Sequence, residues 1–239
     1  MIKKLLNIFK SNDDKILTDY IVSVGIACRP AHYLRKHKLS RCSNPLDWMM
    51  NYTLDAVIQL FENNFNNFFL NRKEHIEKTK GDFRYIEDTS NGMVSVHHFS
   101  VDKDINLGYL AFKKTMKHRY NIMKNHMLFS DHILFISNRN EPIENFEKFL
   151  IEISKLFKCK CTYLNIRNSE INEKIEQQIT PNLKIIDYSF NDLHPDGLID
   201  NPNLWLGNTG EWNNIMKKIK ITKRFFYLPY LKWLTKIIT

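Results

Sequence analysis

Residues 20–39 read YIVSVGIACRPAHYLRKHKL. Tyr20–Gly25 is a short β-branched run closed by glycine, the pattern of a strand. From Cys28 onward Ala31, Leu34 and Leu39 supply the apolar positions of a helix, and Pro30 falls where a first helical turn tolerates it. Strand, glycine turn and helix in succession predict an α/β unit with Cys28 at the junction.

The rest of the chain extends this alternation. Residues 40–50 read as irregular, with Asn44-Pro45 as a turn signal. Leu54, Val57, Ile58, Phe61, Phe65 and Phe68 share helical spacing, predicting a helix over 53–70 that Asn63-Asn64 can interrupt. Residues 71–92 are polar and read as loop. MVSVHHF (93–99) reads as a second strand, 107–127 as a helix and HILFIS (132–137) as a buried strand. An amphipathic helix over 144–157 and strands over 161–166 and 183–188 follow. The expected fold is α/β, a mostly parallel open sheet flanked by helices, with a papain-like α+β arrangement as the alternative. Right-handed crossovers would bring the C-terminal ends of the strands to one edge, where ligands bind in such folds.

The chain has 239 residues and a net charge of +9, placed mainly at its ends. Residues 1–10 carry Lys3, Lys4 and Lys10 and no acid, and residues 212–239 carry seven basic residues and no acid. The stretch between is close to neutral. This divides the chain into a basic N-terminal segment (1–19), one α/β domain (20–212) and a basic aromatic C-terminal segment (213–239). A specific nucleic-acid reader would carry its basic face within the domain, so none is expected. ITKRFFYLPYLKWLTKIIT (221–239) has two readings: a terminal helix packed on the core and broken at Pro229, or an interfacial anchor on an anionic membrane surface. Its lack of acids favours the anchor. The N-terminal apolar stretch is broken by Asn7 and ends at Lys10, short of a signal-peptide core. Four cysteines in a chain this long do not imply disulfides, and with no sign of secretion and no membrane-span pattern a cytoplasmic protein with reduced thiols is expected, peripheral at the inner face of the membrane if the C-terminal segment is an anchor.

Cys28 is the strongest chemical signal. A thiol at a helix N-terminus feels the positive end of the helix dipole and unpaired backbone N–H groups, which favour thiolate. The N–H groups near residues 28–30 would also serve an oxyanion, and Arg29 adds positive potential. The alternative is a buried small side chain. A base is required, and His97 or His98 supplies it if the strand they end lies beside the first. They face opposite ways, so one at most points at the thiol. Asp47 is the candidate to orient the histidine, with Asp102 and Asp104 as alternatives and a turn-capping role as the other reading. Arg29, His98 and Trp48 are candidate substrate-binding residues. No Walker loop, GxGxxG or HExxH is present, and Cys159-Lys160-Cys161 lacks a second pair at zinc spacing, so neither cofactor nor metal is expected.

The run VSVGIACRPAHYLRKHKLSRCSNPLDW (22–48) resembles the start of a bacterial papain-like cysteine peptidase family, a domain otherwise of unknown function. The family pattern is a strand with a Gly-x-x-Cys turn, a Leu-Arg helix and Ser-x-Pro-Phe-Asp-Trp. Here Ser43-Asn44-Pro45-Leu46-Asp47-Trp48 carries Leu46 in place of the usual Phe. His97-His98-Phe99 stands where the family has His-Asp-Phe, which favours His97 and leaves His98 in the position of the usual acid. HRYNIMKN followed by HILFISNR is similar to the family's Arg-rich helix and strand, and LGNTGEWNNIM to its final segment, which includes Trp212. The resemblance implies a thiol-dependent hydrolase or acyl transferase acting through Cys28 and His97 on an unknown substrate. The alternatives are a membrane-associated transferase modifying a cell-surface polysaccharide or lipid, with Arg29 and His97 gripping an anionic donor, and a non-enzymatic binding protein.

Overall fold

Short runs, apolar at their centres, form most of the central sheet of the computed structural model, which describes residues 15–198 and 200–222. In chain order the strands and helices are β1 (Ile16–Thr18), β2 (Tyr20–Ser23), α1 (Arg29–Lys36), β3 (Met49–Met50), α2 (Leu54–Glu62), β4 (Arg72–Lys80), β5 (Phe83–Asp88), β6 (Met93–Ser95) and α3 (Ile105–Leu128). There follow β7 (His132–Ser137), α4 (Ile143–Leu156), β8 (Lys160–Asn168), β9 (Glu173–Thr180), β10 (Leu183–Phe190), α5 (Thr209–Lys218) and β11 (Ile219–Ile221).

Strands β2, β7, β8 and β10 are parallel neighbours in that order, and β9 lies antiparallel at the edge beside β10. This is the open, mostly parallel sheet expected from the alternation. Its strands read as near-continuous apolar runs because both faces are covered. Val22, Phe135, Tyr163 and Ile185 face α2, α3 and α4, while Ile21, Leu134, Leu164 and Ile186 face α1 and α5. Two cores result, one on each side of the sheet. A second, antiparallel sheet runs β3-β6-β5-β4, and β1 pairs with β11.

Four expectations are corrected. Residues 71–92 are not loop but the hairpin β4–β5, turning at Gly81, whose φ of +58° suits glycine. Most of β4 is exposed, so it lacks the apolar alternation that marks a strand, and its pairing is backed by cross-strand ion pairs such as Arg84–Glu74 at 2.6 Å. The polar edge strand β9 was missed for the same reason. The helix expected over 53–70 stops at Glu62, because Asn64 and Phe65 take left-handed conformations. The side chains of Tyr120 and Lys124 hold Asn64 Oδ1 there at 2.9 and 2.6 Å, and Phe65 and Phe68 enter the core from the turn. The strand expected over 93–99 ends at Ser95, and the chain then folds inward to bury Phe99. That strand is also not a neighbour of β2, since the two belong to different sheets.

The folded unit extends beyond 20–212. Asp19 accepts hydrogen bonds from the N–H groups of Asp131 and His132 at 2.8 and 3.1 Å and from the Thr222 hydroxyl, tying β1 and β11 to the start of β7. On the α1 side, Trp212 is fully buried, stacks on Tyr33 at 4.8 Å and donates its Nε1–H to Asp192 at 2.9 Å. The basic end segments 1–14 and 223–239 lie outside the described residues, and with them the proposed anchor.

At the C-terminal edge of the sheet Arg139 is 1% exposed. Its Nε donates to the Val24 carbonyl at 2.9 Å, and its Nη1 to the Tyr52 carbonyl at 2.8 Å and to Glu141 at 2.5 Å. Removing it strands two buried carbonyls. Arg139→Met is therefore expected to lower stability by about 2–6 kcal/mol, from about 1–3 kcal/mol for each buried carbonyl left unpaired. Lysine, with no planar fork, should rescue little of it. Urea titrations read this as a lower midpoint; an Arg139→Met midpoint equal to that of the unaltered protein would contradict it.

Candidate functional site

Cys28 is the N-cap residue of α1, with φ −69° and ψ −13°, and its side chain makes no capping hydrogen bond. The sulfur is therefore not tied to the helix end. The turn before it depends on Gly25, for a reason other than backbone twist. A Cβ at Gly25 would lie 2.6 Å from both Asn138 Oδ1 and Pro30 Cγ, so only glycine lets the end of β2 pass between them. Pro30 lacks an N–H, so of residues 28–30 only Cys28 and Arg29 carry backbone donors.

The thiol does not have the pKa that its helix position suggests. Burial pushes it up from its ordinary value. Lys80 and the Cys28 backbone N–H pull it down, and Asp47 pushes it further up. Arg29 contributes nothing resolved here. Its guanidinium pairs with Asp192 and donates from Nε to the Trp205 carbonyl at 2.6 Å. The same Asp192 carboxylate takes the Trp212 indole N–H and the Asn208 N–H, both at 2.9 Å. Gly207, with φ +65°, sits so close that a Cβ would collide with Asp192 and Arg29. Arg29 is thus built into the contact between α1 and the 192–212 segment.

The charge that does act on the thiol belongs to Lys80, at the end of β4. Its ammonium lies 3.4 Å from Nε2 of His97. Lysine can only donate, so Nε2 carries the lone pair and the ring proton sits on Nδ1. Burial, and then the Lys80 charge, hold the His97 pKa below its usual value, so the ring is neutral at pH 7. Cys28 and His97 thus share Lys80 as a neighbour although they come from different sheets. A backbone link joins those sheets, Asn51 N–H donating to the Ile26 carbonyl at 3.2 Å, and within the second sheet β3 pairs with β6, from which His97 follows.

Trp48 meets His97 edge to face, with ring centroids 5.7 Å apart, and the Arg35 guanidinium covers the Trp48 ring at 4.7 Å. Phe83 lies against His97 at 6.3 Å. Asp47 is buried and does not hydrogen-bond to His97. It accepts the Asn44 N–H at 3.0 Å and lies 3.9 Å from Arg35. Burial raises its pKa to about 6 against the opposing pull of Asn44, Arg35 and Arg119. His98 turns the other way, with Nδ1 2.9 Å from the Ser95 hydroxyl and its ring edge-on to Phe112. Burial, aided by the charge of Arg119 and by His97, lowers its pKa to about 4. His98 also lines a hollow of about 270 Å³ with Phe83, Ser100, Phe112 and Met116.

Sequence reasoning missed three residues at this edge. Lys80 lay in a segment read as loop, and nothing in the sequence marks it. Tyr52 is buried beneath Arg139, with its ring 5.0 Å from the guanidinium and its hydroxyl unpartnered. Arg139 itself had a usable signal, a charge two residues after a buried parallel strand, at the edge where such folds bind ligands.

No curated protein matches the chain, and no solved structure does. A family match covers residues 19–189, a span that includes Cys28, Asp47, Trp48, Lys80, His97 and Arg139 and stops short of Trp212. The chain, more than half of which is matched, belongs to the family described as "putative papain-like cysteine peptidase".

Proposed function

We propose that the protein is a thiol-dependent hydrolase or acyl transferase in which Cys28 is the nucleophile and His97 the base. The observation that carries this is the Lys80 ammonium, 3.4 Å from His97 Nε2 and the main positive charge acting on Cys28. With the thiol pKa raised and the histidine pKa lowered, the resting pair is neutral and no thiolate–imidazolium pair stands ready. In the attack, the Cys28 sulfur bonds to the substrate carbonyl while its proton passes to His97 Nε2, and the Lys80 ammonium turns from that nitrogen toward the developing negative charge. The carbonyl oxygen becomes an oxyanion facing the Cys28 and Arg29 N–H groups. Collapse expels the amine or alcohol, which takes the proton from His97, and leaves a thioester on Cys28. Water or another nucleophile then accepts the acyl group.

Lys80 stabilises the negative charge on sulfur or oxyanion, and leaves the His97 Nε2 lone pair it faces in the resting site when the ring takes the thiol proton. Asp47 supports the turn that carries Trp48 to the histidine, and does not orient the ring directly. The hollow beside His98 and Phe83 suits an apolar side chain of the substrate.

Three measurements test this reading. Alkylation of Cys28 by iodoacetamide, followed by mass spectrometry, should inflect above the ordinary thiol value of about 8.5. Removing the lysine charge in Lys80→Gln should move the inflection higher, and Asp47→Asn should move it lower. An inflection insensitive to Lys80→Gln would exclude the proposed pairing.

Transfer of acetate from p-nitrophenyl acetate to Cys28 should fall about 10²–10⁴-fold in His97→Ala. Asp47→Asn should keep the rate within about tenfold, because an amide still accepts from Asn44 and Asp47 is not the ring's partner. An Asp47→Asn loss as large as that of His97→Ala would restore Asp47 as the orienter.

Asp47 also leaves a mark on stability. Its folded pKa of about 6 lies above the unfolded value, so the folded state keeps a proton that the unfolded chain releases. Its contribution is intact below about pH 4, declines as pH rises to about 6, and is then constant; the size is about 2–3 kcal/mol. Asp47→Asn should abolish that decline in urea unfolding free energies measured across this range.

A further inference from the structure

Helix α3 holds 24 residues, five of them basic (Lys113, Lys114, Lys117, Arg119 and Lys124) and none acidic. A merely solvated helix face ordinarily mixes the two signs, since opposite charges a turn apart support it. Its outward side chains are unusual in a second way. Leu107 and Leu110 are 67% and 64% exposed, on the same face as the lysines. Beside them opens a hollow of about 370 Å³ walled by Phe65, Phe68, Leu110 and Met116 and rimmed by Lys113, Lys114 and Lys117. Lys117 is fixed at the rim by hydrogen bonds to the Asn64 carbonyl and Asn66 Oδ1 at 3.3 and 2.8 Å. Among the described residues Lys113 and Lys114 have no acidic partner.

We propose that this face of α3 docks on an anionic lipid membrane, with the leucines entering the acyl boundary, the hollow taking an acyl chain and the lysine rim meeting lipid phosphates. An apolar floor with a cationic rim complements an amphiphile that is apolar below a negative head. Other occupants fit less well. A second copy related by a two-fold axis would set the lysines against themselves. A nucleic acid would meet the lysines but gain nothing from aliphatic leucines, and of the rings on α3 only the His118 imidazole is exposed to a base. The surface lies within the folded domain and is separate from the C-terminal segment. It also does not depend on the thiol chemistry.

The test is co-sedimentation of the full chain with phosphatidylcholine vesicles, with or without about one-third phosphatidylglycerol. Binding is expected only to the anionic vesicles and should weaken with salt. Lys113→Gln with Lys114→Gln should lower partitioning about 25-fold, from about fivefold for each lysine near the surface. Leu107→Ser with Leu110→Ser should also reduce it, although the lysines remain. All four positions are exposed, so unchanged thermal unfolding shows that the fold is kept. In the C-terminal segment Lys232→Gln with Lys236→Gln reports separately on the tail. Vesicle binding that follows the tail pair and ignores both α3 pairs would overturn the proposal. So would equal binding to polyglutamate and vesicles with no effect of the leucines, which would make the face a site for acidic protein. Because partitioning is read without activity, an inert Cys28 would leave this result unaffected.

Discussion

A guanidinium removed from water is costly unless its N–H groups meet acceptors. Arg139 meets them through Nε and Nη1 at the end of β2, at Tyr52 before α2, and at Glu141 before α4, while Nη2 is buried without a hydrogen-bond partner among the described residues. Those three points are far apart in sequence, and each begins or ends an element that shapes the candidate site. Behind Arg139, Asn165 on β8 accepts the Arg139 N–H and the Ser137 hydroxyl and donates to the Arg139 carbonyl and to Asp187. The C-terminal edge of the sheet is therefore a polar network resting on an apolar core. The cysteine turn and the segment leading from Trp48 to Tyr52 are held to the same buried cation.

The site's electrostatics follow from how the remaining charges are distributed. Of the two arginines of α1, Arg29 at its start is neutralised by Asp192, and Arg35 in its last turn is drawn over Trp48 toward Asp47. The thiol is left to a lysine from a different sheet. Burial raises the Cys28 pKa and lowers that of His97, which pushes both groups toward their neutral forms. Under the proposed mechanism, chemistry at this pair would start with proton transfer during attack, with Lys80 reducing the cost of the charge that forms.

Helix α3 joins two parts of the molecule. Its inner residues Phe112, Met116 and Tyr120 pack in the core, and Phe112 touches His98 beside the candidate site. Its outer residues make the basic apolar face. The chain's charge is thus not confined to its ends, because the near-neutral middle is an average over an acid-free helix and acidic stretches elsewhere.

Much of this architecture is legible in the residues themselves. Tyr20–Val24, His132–Ser137, Cys161–Ile166 and Leu183–Tyr188 are largely apolar runs of strand length, as a sheet covered on both faces requires, and the intervening helical periodicities imply their parallel arrangement. The Gly-x-x-Cys turn and the Asn-Pro-Leu-Asp-Trp turn are local motifs, and local sterics and capping shape them. What tertiary structure decided are features whose stabilisation comes from elsewhere in the chain. β4 and β9 are polar strands that exist because a partner strand satisfies their backbones. Helix α2 ends where side chains of α3 hold Asn64. Asp47 faces Asn44 and Arg35, Arg29 faces Asp192, and Lys80 reaches His97, because hydrogen bonds and charge pairs form between whichever groups the folded chain brings within reach, and no local pattern records those distances.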